Sequence, residues 1–358
     1  FTTQASPVVL TDLTTPTVLA PSAPQASVVG GSLVHVDEQT WWGVCRSSLA
    51  DQYVQLPGGA GARLTIINPE TEDALVDITL SGPEGEITGD GLRGITVPAN
   101  GQHQIDLEPL AESVNALGAR VRSSVGRVTA VAQVFRDQGG DFANSTVQSR
   151  QLVVAGIPAD ASSVQLLLTN PGTTRNVIRL EGLGEGGRYD VAGFESYAVD
   201  AQRTIAIDLT DSLDGAPAAL VITARDELAV SAVVEMEGDF GITQAVVDEQ
   251  SVARQQLVGA VAGAGTLQIA NPNSGETLVV VDWGADQAPA NRTVPAGAVV
   301  SIDIPAGADR ARIEATAPIS AAVMLMGGDR PGFAIGGLLS AARQQASMPM
   351  EVDLNLGR

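Results

Sequence analysis

Apolar and polar residues alternate along three separated stretches of this chain. They read RLTIINPETEDALVDITLSG from Arg63, VQLLLTNPGTTRNVIRLEGLG from Val164 and LQIANPNSGETLVVVDWG from Leu267. A period of two puts every second side chain on one face of a strand, so each stretch predicts two half-buried strands joined by a polar turn. At the joint stands an Asn-Pro pair, namely Asn68-Pro69, Asn170-Pro171 and Asn271-Pro272, with the asparagines 102 and 101 residues apart. Proline lacks an N–H and ends a ladder, and the asparagine side chain can accept from the backbone ahead as an Asx-turn. One such pair is a weak signal, whereas three at near-constant spacing inside matching strands mark an internal repeat.

Two later landmarks follow each pair. The first is a strand, a tight turn and a strand ending at Asp106, Asp208 or Asp303, which lie 38, 38 and 32 residues after their asparagines. The second is Val128-Thr129-Ala130, Val230-Ser231-Ala232 and Ile319-Ser320-Ala321, and it makes the third unit the shorter. A helical turn is expected after Asp106, running toward Gly118, with a smaller one after Asp208 and none after Asp303. The joints repeat as Arg150-Gln151-Leu152, Arg254-Gln255-Gln256-Leu257 and Arg343-Gln344-Gln345, each read as a strand crossing between units.

Almost every connection is too short for a crossover helix, so the sheets must be antiparallel. The predicted fold is all-β, with three tandem antiparallel β-sandwich repeats of immunoglobulin-like architecture behind an extended N-terminal segment. The expected boundaries are 1–50 for an arm or stalk, then 51–150, 151–255 and 256–358 for the repeats, the last being shortened and carrying a tail. In the arm, Trp41 and Trp42 stand beside Cys45, the single cysteine. In a chain only 3% aromatic, this pair is read first as an apolar plug against the first unit. Trp41, Trp42 and Trp283 are also the candidate contacts for a partner or a glycan.

Composition narrows the function. Net charge is -21, and all 20 basic residues are arginine. That balance argues against a nucleic-acid backbone as partner. No apolar run is long enough to span a membrane. With one cysteine, no intrachain disulfide can form. There is no nucleophile elbow, phosphate loop, dinucleotide fingerprint or zinc-protease motif, and no cofactor is expected. Of the two histidines, His103 is read at the position filled by Thr204 in the second unit, as on a strand surface. The periodic Asp106, Asp208 and Asp303 are read as structural acceptors where a strand turns, because a catalytic pair would belong to one site. Hard oxygens in the acidic turns make Asp137, Asp141, Asp208, Asp211 and Asp214 the calcium candidates, against the ordinary reading of solvated turns.

The repeated strand–Asn-Pro–strand units from Leu64 to Pro69, the V-P-A-G turn at Pro295 to Gly297 and the Trp41–Cys45 segment carry a resemblance. The chain resembles a family of actinobacterial envelope-associated proteins of unknown function, over about Thr40 to Met350. The resemblance implies export, with a leader or membrane segment upstream or removed, and brings no catalytic residues. The expected role is a non-enzymatic extracytoplasmic scaffold or protein-interaction module, partnered by another envelope or membrane protein. The alternatives are a carbohydrate or cell-wall binding module, which needs exposed aromatics, and a hydrolase, which needs a cleft with paired acids.

Overall fold

The computed structural model describes residues 31–340 apart from 37–38, 45, 137–138, 237, 248–254, 262–264, 285–286, 309 and 327–331. The described chain is nearly all β, in several antiparallel sheets. It opens with a hairpin of β1 (Gly31–Val36) and β2 (Gln39–Val44), in register from Gly31↔Val44 to Val36↔Gln39.

The next strands are β3 (Asp51–Leu56), β4 (Ala62–Ile67), β5 (Ala74–Gly82), β6 (Gly85–Ile87), β7 (Ile95–Val97) and β8 (Gln102–Asp106). A single helical turn, α1 (Glu108–Ala111), leads to β9 (Leu117–Val125), β10 (Thr129–Arg136) and β11 (Gly139–Asn144). One sheet has the order β3-β9-β5-β6, with β7 also on β5, and the other β11-β10-β4-β8. Alternating burial along β5 places Ala74, Val76, Ile78 and Leu80 inward, as a period of two requires. The helix ends well before Gly118, which lies inside β9 rather than capping α1 as the sequence suggested.

The second set is β12 (Ser149–Ile157), β13 (Ser163–Asn170), β14 (Asn176–Gly184), β15 (Gly187–Asp190), β16 (Tyr197–Val199), β17 (Arg203–Asp208), the turn α2 (Thr210–Leu213), β18 (Ala218–Met236), β19 (Asp239–Gln244) and β20 (Val246–Val247). Its strands follow the same pairing plan, except that β18 runs on without a break. The first part of β18 pairs with β12 and β14, and the rest with β13 and β19. In the first set that path is split into β9 and β10 at Gly126, whose φ is 73°.

The third set is β21 (Gln255–Ala260), β22 (Gly265–Ala270), β23 (Thr277–Asp282), β24 (Ala290–Val294), β25 (Val299–Asp303), β26 (Arg310–Ala315), β27 (Ser320–Met326), β28 (Phe333–Gly337) and β29 (Leu339–Ser340). Its sheets are β24-β23-β26-β21-β29 and β25-β22-β27-β28. Here β24 alone does the work of β6 and β7, and the helical turn is replaced by the bend after Ile304, which accounts for the shorter unit.

Pairing refines two sequence alignments. The residues just before the repeat asparagines pair as Ile67↔Gln102, Thr169↔Thr204 and Ala270↔Val299. Gln102 therefore matches Thr204, while His103, opposite Ile66, matches Ile205. Likewise Thr129, Ala229 and Ser320 share one position, so the Val-Ser-Ala motif of the second unit sits two residues further on than its counterparts. A two-residue slip keeps side chains on the same face, which is why the pattern hid it.

The apolar cores do not stop at the set boundaries. The core around Leu166, Leu180 and Ile222 takes in Ala322, Met324, Phe333 and Ile335 from the third set. The core around Leu64 and Ile78 takes in Leu167, Val233, Phe240 and Ile242 from the second. Trp42 joins the third core, with Trp283. The sets are thus fused side by side, in place of the spaced series that a string of linked units would give.

Candidate functional site

The Asn-Pro positions form one construction made three times. Asn170 Nδ2 donates to the carbonyls of Thr174, Val199 and Asp200, each at 3.0 Å, and its Oδ1 accepts from Gly172 N at 3.0 Å. Asn68 does the same with the carbonyls of Glu72, Val97 and Pro98 and with Glu70 N. Asn271 does so with Gly275, Val294, Pro295 and Asn273 N. The predicted Asx-turn is present, and the amide also staples it to the end of the later strand. All three asparagines are buried, so nothing of them is left for a ligand.

The three strand-ending aspartates are exposed and do unlike things. Asp106 pairs with Arg63 at 2.8 Å. Asp208 accepts from Thr210 N at 3.0 Å and from Thr210 Oγ1 at 2.6 Å, and these bonds hold its carboxyl below the usual range. Only Asp208 fits the expected turn-acceptor role, while Asp303 ends β25 opposite Thr266. The calcium candidates do not come together. Asp137 lies outside the described residues, Asp211 and Asp214 are exposed on and just after α2, and Asp141 is enclosed within β11. Among the described residues, no group of three acids, histidines or cysteines is placed to hold a metal ion.

The tryptophans are interior residues, at 4% exposure for Trp41 and Trp42 and 1% for Trp283, which corrects their reading as partner or glycan contacts. Adjacent strand residues point opposite ways, so β2 reaches two sets at once. Trp41 packs edge-on to Phe135 and Phe142 over Gly140, where a Cβ would enter the indole. Trp42 lies on Gly336 of β28 in the same manner. Register equates Gly140 with Phe240 and Phe333, so Trp41 supplies the aromatic group that the other sets carry in their own strands. Cys45 lies outside the described residues.

Polar bonds cross the seams. Gln55 of β3 donates from Nε2 to Leu167 O at 3.1 Å, Thr169 Oγ1 at 3.0 Å and Ala229 O at 2.9 Å, and its Oε1 accepts from Ser231 Oγ at 2.8 Å. At the second seam the amide comes from the other side. Gln268 Oε1 accepts from Gly156 N, and its Nε2 donates to Ile157 O, both at 2.8 Å. Asp141, fully buried, accepts from Trp42 N at 2.9 Å and from Ile242 N at 2.7 Å. Asp239 accepts from Phe240 N at 2.8 Å and Phe333 N at 3.1 Å. The four strands β2, β11, β19 and β28 meet around these two carboxyl groups.

An open cleft of about 660 Å³ lies at the seam of the first and second sets, between Pro57, Gly58, Phe135, Arg136, Glu235 and Phe240. Arg136 crosses it, 2.9 Å from Glu235, with a bond to Pro57 O at 3.2 Å and its guanidinium 5.1 Å from the centre of the Phe240 ring. Phe135 stands 47% exposed at the rim. The acids here are engaged, Glu235 with the arginine and Asp239 with backbone N–H groups, and the described lining residues include no serine, threonine or cysteine. The lining suits an apolar side chain beside a polar one better than it suits proton transfer. Sequence reasoning missed this cleft because its walls come from three strands and a glycine loop far apart in the chain.

A family model described as a family of unknown function (DUF5719) matches residues 45–250. No curated protein and no solved structure matches the chain.

Proposed function

The chain belongs to the DUF5719 family of unknown function, and from its architecture we propose a non-enzymatic interaction scaffold of the bacterial cell envelope, built from three immunoglobulin-like sandwich repeats. The observation that carries this reading is how the distinctive side chains are used. The repeat asparagines and Trp283 are spent on building single sets, and Trp41, Trp42, Gln55, Gln268 and Asp141 on joining the sets to one another. What is left outside is a seam cleft with an exposed aromatic rim, a form that fits a protein contact. Interior tryptophans weigh against the carbohydrate reading, and engaged acids in the cleft weigh against the hydrolase. No helix among the described residues is long and apolar enough to cross a membrane. The placement outside the cytoplasm, in an actinobacterial envelope with an envelope or membrane protein as partner, rests on the family resemblance of the repeat and turn motifs.

The test is site-specific photo-crosslinking in native cells, with the crosslinker in place of Phe135 and, as control, in place of the equally exposed Leu278. A single envelope protein captured from Phe135 alone, and lost on Arg136→Glu, is the expected result. Equal capture from both positions, or recovery of the chain in the cytoplasmic fraction, contradicts the proposal.

A further inference from the structure

The β1–β2 hairpin repeats the hairpin that ends each set. Its pairs run from Gly31↔Val44 to Val36↔Gln39, those of β10–β11 from Val131↔Asn144 to Arg136↔Gly139, and those of β18–β19 from Ser231↔Gln244 to Met236↔Asp239. Each register lies 100 residues beyond the one before. The seats match as well. The indoles of β2 lie on Gly140 of β11 and Gly336 of β28, Asp239 of β19 sits over Gly139 of β11, and Ile335 of β28 sits over Gly241 of β19. The hairpin thus takes the place of a fourth terminal hairpin. Among the described residues it shares a backbone ladder with no other strand.

In the three sets the strand equivalent to β1 is never an edge. On its far side β10 pairs with β4, β18 with β13 and β27 with β22. The backbone of β1 is set for the same pairing. Trp42 N donates to Asp141 Oδ1 at 2.9 Å and Val44 N to Asn144 Oδ1 at 3.2 Å, so both N–H groups point away from β1. Antiparallel pairs alternate between bonded and unbonded, which makes Gly31↔Val44, Leu33↔Trp42 and His35↔Thr40 the unbonded ones. The N–H and C=O groups of Gly31, Leu33 and His35 therefore face the open side. The equivalents of His35 use that side: Phe135 N donates to Gly61 O at 3.2 Å, and Glu235 O accepts from Ser162 N at 2.9 Å. We infer that the open edge of β1 accepts an extended, net-basic segment of a partner protein, which adds antiparallel to β1 as β4, β13 and β22 add in the sets. Those strands alternate buried aliphatic residues, Leu64 and Ile66 in β4, Leu166 and Leu168 in β13, Leu267 and Ile269 in β22, and the segment carries the same alternation. Positive charge in the segment suits a chain of net charge -21, and a second copy, bringing the same negative charge, is repelled.

The probe is a peptide with the sequence of Gly61–Asn68, blocked at both ends so that its arginine is its only charge, added to the full chain while amide exchange is followed by NMR. In the first set the pairs Gln133↔Arg63 and Val131↔Thr65 turn the N–H groups of Arg63 and Thr65 toward β10. Peptide at about ten times its Kd is expected to slow exchange at Leu33 and His35 about tenfold, and to leave Val34, opposite Trp41 on the bonded side, unchanged. Methylating the peptide nitrogens at the Arg63 and Thr65 positions is expected to abolish the effect, while methylation at the Leu64 and Ile66 positions spares it. Leu33→Pro, which removes an N–H from the open side only, is expected to abolish it as well, with tryptophan emission unchanged. Should that variant not fold, the two methylated peptides still decide. The edge is separate from the seam cleft and the test needs no cell component, so either reading can fail alone. No slowing at about 1 mM peptide, equal action of the two methylated peptides, or Leu33 and His35 amides already protected in the free chain overturns the inference.

Discussion

Replacing Asn170 with alanine removes four hydrogen bonds at a single buried point: three from Nδ2, to Thr174, Val199 and Asp200, and one accepted from Gly172 N. A buried hydrogen bond contributes about 0.5–1.5 kcal/mol net, and a partner left unsatisfied costs about 1–3 kcal/mol. Two of the abandoned carbonyls lie where water can partly reach them, so the expected loss is about 3 kcal/mol rather than the full sum. Asn170→Asp separates mechanism from volume. It keeps the shape and the acceptor for Gly172 N, but turns a donor into a charge facing three carbonyls, and is expected to cost more than alanine. Urea unfolding followed by far-ultraviolet circular dichroism measures both. An alanine loss below about 1 kcal/mol, or an aspartate tolerated as well as alanine, refutes the staple as a source of stability.

Other consequences follow from the same geometry. Trp41→Ala empties the hollow over Gly140 and is expected to cost about 3–5 kcal/mol, with residues 39–44 losing exchange protection before the rest of the chain. Gln55→Ala strands the buried carbonyls of Leu167 and Ala229 and is expected to cost about 2–4 kcal/mol by urea unfolding, while Gln55→Glu is worse because it places a charge there. Asp106→Ala breaks only a surface pair with Arg63, both side chains about half exposed or more, and is expected to move stability by less than about 0.5 kcal/mol in the same assay.

The features legible in the sequence were local. Alternation gave the paired strands, Asn-Pro gave the turns, and the acidic segment after Asp106 gave a helical turn, because each is decided within a few residues. The staple from Asn170 to Val199 joins residues 29 apart, and nothing in the turn signal points to its far end. The Val-Ser-Ala landmark around Ser231 lies two residues from its expected place, a slip that keeps the face and so escapes alternation, while His103 lies one residue from its expected place because the spacing from the asparagine, not the face, set that alignment. The expected plug against the first unit describes Trp41, which packs on Phe135, Phe142 and Gly140, whereas Trp42 lies on Gly336 in the third core, a placement that depends on how the sets fold together. Gln55 and Gln268 carried no signal at all, as single amides in apolar strands. The seam cleft was invisible for the same reason.

The three sandwich-like sets share cores and crossing side chains, which makes them one cooperative body. Scanning calorimetry of the full chain tests it directly. A single endotherm is expected, with calorimetric and van't Hoff enthalpies in a ratio of about one. Separate transitions, or a ratio approaching about three, would contradict it by showing that each set melts alone.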